Sequence, residues 1–553
     1  MSVLTPRYDW TVPEAHPLSD ETIADAQRRG LSARALRVLS RRGPVDPAEL
    51  SSRFDAPEVG LHEPALLPDA DVVVARVEAA AAAGESVLVL GDFDADGLTG
   101  LTILTEALRW LGIEATPYVP DRSGEGHGLS MAAVERARAD GHGLIITADT
   151  GSGSVAEIEA ARAAGIDVIV TDHHVMPAEW PPALALVNAQ RSDNRYPDAR
   201  LSGAGIAFKV AQLLMSRRPG GAEAALRLAD LAAIGSIADV VPIVGENRSI
   251  VRLGLRRLET APRPGVKALM SAARIDQVGV SIEDISFGLA PRINAMGRVG
   301  DPAVAAALLL APDMSTAEGL AARLEEANRL RRELTATAMA EAREALSGLP
   351  ESPFLVLAGD WPVGIIGLVA GRLAEEHGRP TLVLSSSVTP WRGSARSAGG
   401  FDLAAAFDDC ADLFERHGGH PEAAGCHIEA SRVDELRQRL DTLASLRPPA
   451  DPHPGLVIDL VQSAVAADYV LLGELALLEN AAEAPPLVGI VGLVVIRARV
   501  AKGGHAQLTL RRGRDVIDGI SFGRADLAEQ LTEGLEIDVV ARPSASVTTV
   551  MRP

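Results

Sequence analysis

The chain is 553 residues long, 47% hydrophobic, and carries a formal charge of −21. That length calls for roughly three or four separate hydrophobic cores, and the apolar content excludes a disordered chain. The acidic excess by itself argues against a polyanionic substrate, but carboxylates that hold cations count toward the total and become a positive centre once loaded.

In chain order, Met1 to Glu14 lacks the charged-then-apolar layout of a secretory signal. No later apolar run approaches the roughly 20 residues that cross a bilayer, so a cytoplasmic chain is expected, and a monomer. From Asp20 to about Ala83 the pattern is helical, with an Arg-Arg-Gly turn at Arg41 to Gly43 and an alanine-rich helix from Asp71; residues 1–70 read as a helical lead-in. Short apolar runs then alternate with helical segments: Ser86 to Leu90, Ala115 to Val119, Leu144 to Ala148, Asp167 to Val170 and Ala183 to Val187. The alternation predicts a parallel sheet covered by helices, in an α/β domain over 71–311.

The segment Asp313 to Leu349 opens with Ser315 and Glu318 at capping-box spacing and predicts a long connecting helix over 312–349. A second α/β domain follows over 350–447, with strands Phe354 to Ala358 and Thr381 to Ser385 and a helix from about Val363 to Glu376. It contains both cysteines, Cys410 and Cys426, which are expected as buried free thiols rather than a disulfide or metal site. The proline-rich stretch Arg447 to Gly455 marks a boundary. In 448–553, Val494 to Val500, a Gly503-Gly504 turn, Gln507 to Leu510 and Gly519 to Phe522 have hairpin spacing and predict a small β-barrel.

Chemistry concentrates at the ends of the first predicted strands. Asp92, Asp94 and Asp96 share one loop immediately after Ser86 to Leu90. Open α/β sheets bind ligands at that end of a strand, and carboxylates this close repel one another unless a cation neutralises them. A solvated acidic loop or a helix N-cap is the alternative for this motif alone. Two further strands end in Asp149 and in Asp172-His173-His174, so parallel pairing would bring acids and imidazoles to one crevice. Taken singly, His173-His174 could cap a helix and Asp149 could begin the Gly151 to Gly153 turn. Oxygen ligands with an imidazole suit Mn²⁺ or Mg²⁺ better than thiolate-bound zinc or iron. Two such ions roughly 3.5 to 4 Å apart can activate a water and stabilise both oxygens of a phosphodiester displacement.

The order Asp94-Ala95-Asp96-Gly97, Asp149, Asp172-His173-His174 and Asp239 resembles the DHH phosphoesterase superfamily. Arg122 with Glu125-Gly126-His127-Gly128, the stretch Gly203 to Lys209, Glu246-Asn247-Arg248 and Pro291-Arg292-Ile293-Asn294-Ala295-Met296-Gly297-Arg298 resemble, within it, the RecJ family of exonucleases, from about residue 35 to 430. Gly364-Ile365-Ile366-Gly367, Gly393 to Ser397 and Gly418-Gly419-His420 with Ala423-Ala424-Gly425 look like the DHH-associated domain.

The resemblance implies two α/β lobes, a DHH catalytic domain and a DHH-associated domain, joined by a long helix, plus an OB-like C-terminal β-barrel. It implies metal ligation by Asp94, Asp96, Asp149, His173 and Asp239, with Asp149 as the bridge, and catalytic help from Asp92 and His174, the latter orienting or protonating a phosphate oxygen. Arg122, Arg292, Arg298 and Arg396 are candidates to grip phosphates bidentately, joined by Ser394 and His420 in glycine-rich turns; a surface salt bridge is the alternative for any single arginine. The implied activity is 5′-to-3′ hydrolysis of single-stranded DNA to mononucleotides with two Mn²⁺ or Mg²⁺ ions, in DNA repair and recombination. Single-stranded-DNA-binding protein or a helicase is the implied protein partner.

Departures fall mostly at the C-terminal end. His127 stands where the family usually has Tyr, Leu478 to Ala484 lacks the expected glycine-asparagine-proline entry to the barrel, and the chain stops at Pro553 before the family's usual last strand. Phe522 is the only aromatic residue after Tyr469, although stacking supplies much of single-strand binding. A nanoRNase or cyclic-dinucleotide phosphodiesterase of the same superfamily is the alternative favoured by the acidity and the poor barrel; length and the Pro291 to Arg298 motif favour RecJ. A non-catalytic replication scaffold would have lost metal ligands that are all present here.

Overall fold

A computed structural model describes residues 9–121, 124–348, 351–446, 455–463, 469–480, 485–542 and 549–551. It divides into two compact units, one from Leu61–Pro452 and one from the described residues of Met1–Gly60 and His453–Pro553.

In the larger unit, β1 (Val87–Gly91), β2 (Ala115–Tyr118), β3 (Leu144–Ala148), β4 (Asp167–Thr171) and β5 (Ala185–Val187) pair in the order β2-β1-β3-β4-β5, all parallel. Every residue of β1 and β3 is buried, as expected of strands covered on both faces, and this is why they read as continuous apolar runs. The strands lie within a residue or two of their expected positions. Helix α1 (Ala95–Trp110) is buried along most of its length; Thr99, Thr102 and Thr105 donate to carbonyls one turn back at 2.7 Å, so they enter the core without orphaned hydroxyls. Helices α2 (Gly203–Met215), α3 (Ala229–Ala238) and α4 (Ala290–Val299) are among the others of this part.

Helix α5 (Met314–Ser347) is the long connector. Its cap is not the expected Ser315–Glu318 box. Asp313 holds extended backbone and accepts from Thr316 N at 2.8 Å, leaving Ser315 inside the first turn. Beyond it, β6 (Leu355–Gly359), α6 (Val363–His377), β7 (Thr381–Ser385), β8 (Trp391–Arg396), β9 (Arg416–His420) and β10 (Ala423–Ile428) build a second sheet in the order β9-β10-β8-β7-β6. Only β6 and β7 are parallel. Cys410 and Cys426 are buried free thiols in its core.

The smaller unit contains a curled sheet of β11 (Leu460–Gln462), β12 (Val488–Ala501), β13 (His505–Arg512), β14 (Asp515–Ser521), β15 (Glu536–Arg542) and β16 (Thr549–Met551). This is the OB-like element. β12 pairs with both β13 and β15, and β16 pairs with both β14 and β15, adding a strand that a three-residue segment could not announce in sequence. The N-terminal helical region breaks more often than its pattern suggests, into Asp20–Arg28, Ala33–Arg42, Pro47–Phe54 and Ala70–Ala83. Leu36, Leu39 and Leu50 share one core with Leu475, Leu493, Leu508 and Val539. Arg42 seals it with a bidentate pair to Asp459 at 2.8 and 2.9 Å. Residues 447–454, the bulk of the expected proline-rich boundary, lie outside the described residues. No helix among the described residues is long and apolar enough to cross a membrane.

Candidate metal centre

Strand order reverses between β1 and β3, and open parallel sheets bind ligands at the carboxyl ends of strands beside such a reversal. The backbone ladder continues past each strand: Asp92 N donates to Ala148 O at 3.3 Å, Asp149 N to Thr171 O at 2.9 Å and Asp172 N to Val187 O at 3.0 Å. Sheet pairing therefore aligns the three acidic strand ends side by side. Asp149 holds a φ of 62°, as does Val240 immediately after Asp239, and non-glycine residues adopt such backbone rarely, clustering at functional sites.

Asp94 is the N-cap of α1, accepting from Asp96 N at 3.0 Å and Gly97 N at 3.1 Å, so the capping alternative and membership of the cluster both hold for it. Asp96, 1% exposed, accepts from Gly203 N at 2.7 Å and Ala204 N at 3.0 Å at the start of α2. Such close approach requires glycine: a Cβ at Gly203 would stand 2.3 Å from that of Asp149, and one at Gly235 would stand 2.5 Å from Asp96 Oδ1.

Around these acids, His173 Nε2 lies 3.0 Å from Asp149 Oδ1, 3.7 Å from Asp239 Oδ2 and 3.9 Å from Asp96 Oδ2. Among the described residues, potential ligand atoms fall into three sets, each within 4.8 Å: Asp92, Asp94 and Asp149; Asp96, His173 and Asp239; Asp149, His173 and His174. Asp149 Oδ1 is buried and accepts no hydrogen bond, although His173 Nε2 is near; two groups close together without donor–acceptor alignment are placed as two ligands of one cation are. The donor set is oxygen-rich and free of thiolate, and fits Mn²⁺ or Mg²⁺.

Electrostatics point the same way. Burial first, then Asp96 and Asp94, push the Asp149 carboxyl well above its usual range, and burial with Asp92 raises that of Asp94. Burial and Asp96 raise Asp239 to about 6. Asp172 behaves differently: burial opposes its ionisation, but hydrogen bonds from His174 Nδ1 at 2.7 Å and from Ser152 N at 2.9 Å bring it down to about 2. The same bond to Asp172 raises His174 to about 9. Asp172 is thus an orienting group, which its place in the Asp172-His173-His174 triplet does not by itself distinguish from a ligand.

Other expected residues lie elsewhere. Arg122 is outside the described residues. Arg292 donates to Glu325 at 2.5 Å and to Gly288 O at 2.7 Å, and Arg298 to Gly364 O at 3.1 Å. Ser394 and Arg396 are bonded at 3.0 Å on β8, and His420 is exposed on β9. Register lays the second sheet out in rows: Arg416, His427 and Arg392; Gly418, Gly425 and Ser394; His420, Ala423 and Arg396. Directly paired residues share a face, so this one is basic and paved with small residues, while Cys426, Ala424 and Ala395 face the core. Burial, Arg392 and Arg416 lower the His427 pKa. Arg392, Arg416 and His427 were not among the expected residues.

Further contacts escaped sequence reading. Asn294 Oδ1 accepts from Ala95 N at 2.6 Å and ties the aspartate loop to α4. His127 stacks on Phe93 at 4.5 Å between ring centres, with Nδ1 3.4 Å from Asp92 Oδ2. Lys209 and Glu246 form a fully buried pair at 2.9 Å, while Asn247 Nδ2 donates to Pro242 O at 3.1 Å and holds the segment after Asp239.

Comparison with known proteins accounts for this arrangement. The DHH family N-terminal domain matches residues 86–236, and the DHHA1 domain matches 351–446. The single-stranded-DNA-specific exonuclease RecJ of Bacillus subtilis is 32% identical over 98% of this chain and 69% of its own length. The crystal structure of Thermus thermophilus RecJ with Mn²⁺ superposes with a TM-score of 0.81 at 28% identity, covering 99% of this chain and 79% of that one. The Mg²⁺ complex of the Thermus protein gives 0.74 at 26% identity over 99% and 78%. This chain belongs to the RecJ family.

Proposed function

We propose that this protein is a metal-dependent exonuclease that hydrolyses single-stranded DNA from its 5′ end to mononucleotides. The observation that carries the reading is the convergence of Asp94, Asp96, Asp149, His173 and Asp239 at the sheet's reversal point, with Asp149 and His173 each belonging to two potential ligand sets. Those five residues, Asp149 central among them, would hold two divalent cations. Bound Mn²⁺ or Mg²⁺ would supply an activated water and neutralise charge on the attacking and leaving oxygens. Asp92 completes the set with Asp94 and Asp149. His174, its Nδ1 committed to Asp172, leaves Nε2–H to orient or protonate a phosphate oxygen.

Arg122, Arg292, Arg298, Ser394, Arg396 and His420 hold the strand; the basic rows of the second sheet support this for the last three. The working division is a lead-in over 1–70, a catalytic DHH domain over 71–311, the connecting helix over 312–349, the DHH-associated domain over 350–447 and the OB-like region over 448–553. A cytoplasmic monomer acting in repair and recombination, recruited by single-stranded-DNA-binding protein or a helicase, fits this family.

The test is digestion of 5′-phosphorylated single-stranded DNA, duplex DNA and a dinucleotide, each with Mn²⁺ or EDTA, with products sized from each labelled end. Metal-dependent mononucleotide release from the 5′ end of the single strand is expected. Cleavage confined to the dinucleotide would move the protein to the short-substrate branch of the superfamily.

A further inference from the structure

Helices α4, α5 and α6 pack on one another, and their junction collects arginines without counter-charges. Arg331 and Arg332 lie on α5 and Arg372 on α6, and among the described residues none of the three has a carboxylate partner. Other arginines nearby are neutralised. On the same helix, Arg329 is paired with Glu326 and Glu333, and Arg343 with Glu376. Arg292 of α4, also within electrostatic reach of Arg331, is paired with Glu325.

Arg332 and Arg372 are exposed, and either alone would be a solvated surface group. Arg331 is not. It is half-buried, its Nη2 donates to Asn328 Oδ1 at 2.8 Å, and its Nε is buried with no acceptor. Burial, then Arg372, Arg332 and Arg292, all disfavour its charged form. Like charges gathered around an orphaned guanidinium donor call for an anion, and guanidinium geometry matches phosphate.

The anion is separate from the one at the metals. Asn294 faces the aspartate loop, whereas Arg292, two residues earlier and about 200° around α4, faces Glu325 of α5. We propose that Arg331, Arg332 and Arg372, with Arg292 beside them, form a second phosphate-binding site, which takes a backbone phosphate of the single-stranded substrate away from the scissile bond. The strand as source rests on the exonuclease reading; the phosphate site does not.

The experiment is equilibrium binding of a fluorescent oligothymidylate in EDTA over a range of salt, for the wild type, Arg331→Gln, Arg332→Gln and Arg329→Gln, with inorganic phosphate and a 5′-mononucleotide as competitors. Arg331→Gln and Arg332→Gln should each weaken binding about threefold to tenfold and lower the slope of log affinity on log salt by about 0.7. Arg329→Gln should leave the slope unchanged. Arg331→Gln should melt no lower than wild type, since it relieves repulsion, and exposed Arg332 tests the site independently of folding. In hydrolysis, the preference in kcat/KM for a long strand over a trinucleotide should narrow by the same factor.

Unchanged slopes in both variants would overturn the site while leaving exonuclease activity standing. Competition by inorganic phosphate as effective as that by the strand, lost in the variants, would overturn the strand as ligand. Reduced slopes in a protein that degrades no single strand would sustain the phosphate site and remove the exonuclease reading instead.

Discussion

The two sheets of the larger unit present opposite chemistry. The first gathers Asp92, Asp94, Asp96, Asp149 and Asp172 at its carboxyl edge, while one face of the second carries Arg392, Arg396, Arg416, His420 and His427. The acids sit at strand ends, where loops converge and cations can be enclosed. The bases lie in register across antiparallel strands, Arg416 and His420 at the two ends of β9 and Arg396 at the end of β8, so they share one face and can follow an extended backbone. A net charge of −21 averages the two and describes neither.

The comparison breaks most sharply at Asp149. Asp149→Ala should reduce hydrolysis by more than about a hundredfold, beyond what loss of an outer-shell partner costs. Its melting temperature without metal should hold or rise, because a carboxylate repelled by Asp96 and Asp94 has been removed; retained activity would displace Asp149 from the centre. Asp172→Asn, which weakens the orienting bond to His174 along with the acceptor of Ser152 N, should cost about 10–100-fold and move the alkaline limb of the pH–rate profile, since His174 at about 9 owes its shift first to that side-chain bond.

Replacing the second sheet's bases acts on the other side of the comparison. Arg392→Gln with Arg416→Gln should weaken single-strand binding about tenfold and leave Mn²⁺ affinity, read by calorimetry, as in the wild type. A fall in metal affinity would mean that the two sheets are not chemically independent.

The smallest effect concerns stability against pH. Asp94, Asp96, Asp149 and Asp239 all have carboxyls raised on folding, so their contribution is fully present below the unfolded value near 3.8 and is lost as pH rises, through about 6 for Asp239. His174, raised to about 9, loses its contribution between about 6.5 and 9, in the same direction. Asp172, held near 2, falls outside this window. In EDTA the melting temperature should therefore decline from pH 5 to 7, by a few degrees on the order expected for about 1 kcal/mol. Mn²⁺ should flatten or reverse the decline, because cation and proton compete for the same oxygens. A flat profile in EDTA would show that the carboxylates do not repel one another as their positions imply.

The acidic half of this comparison was legible in the sequence; much of the basic half was not. Strands buried on both faces appear as unbroken apolar runs, and the acids follow them directly, so the order of residues alone places Asp94, Asp149 and Asp172-His173-His174 at one edge of a parallel sheet. Arg392 and Arg416 required the register of β9, β10 and β8, which a glycine-rich sequence specifies weakly. Arg331 and Arg332 lie in a helix full of charge, where a solvated face is the ordinary reading, and only packing against α4 and α6 isolates them. Local competition explains the misplaced cap: Asp313 and Ser315 are both good N-cap residues, and it is Asp313 that holds extended backbone and accepts from Thr316 N.

The smaller unit has a consequence for biosynthesis. Leu36, Leu39 and Leu50 share their core with many residues beyond 459, and Arg42 is anchored to Asp459. During synthesis these helices emerge long before those partners and must wait, with much of their apolar faces uncovered, until the segment beyond 459 has left the ribosome. The larger unit can close meanwhile, so the earlier segment is secured after the later one, and a translation product lacking the strands beyond 459 would keep an exposed hydrophobic flank on these helices.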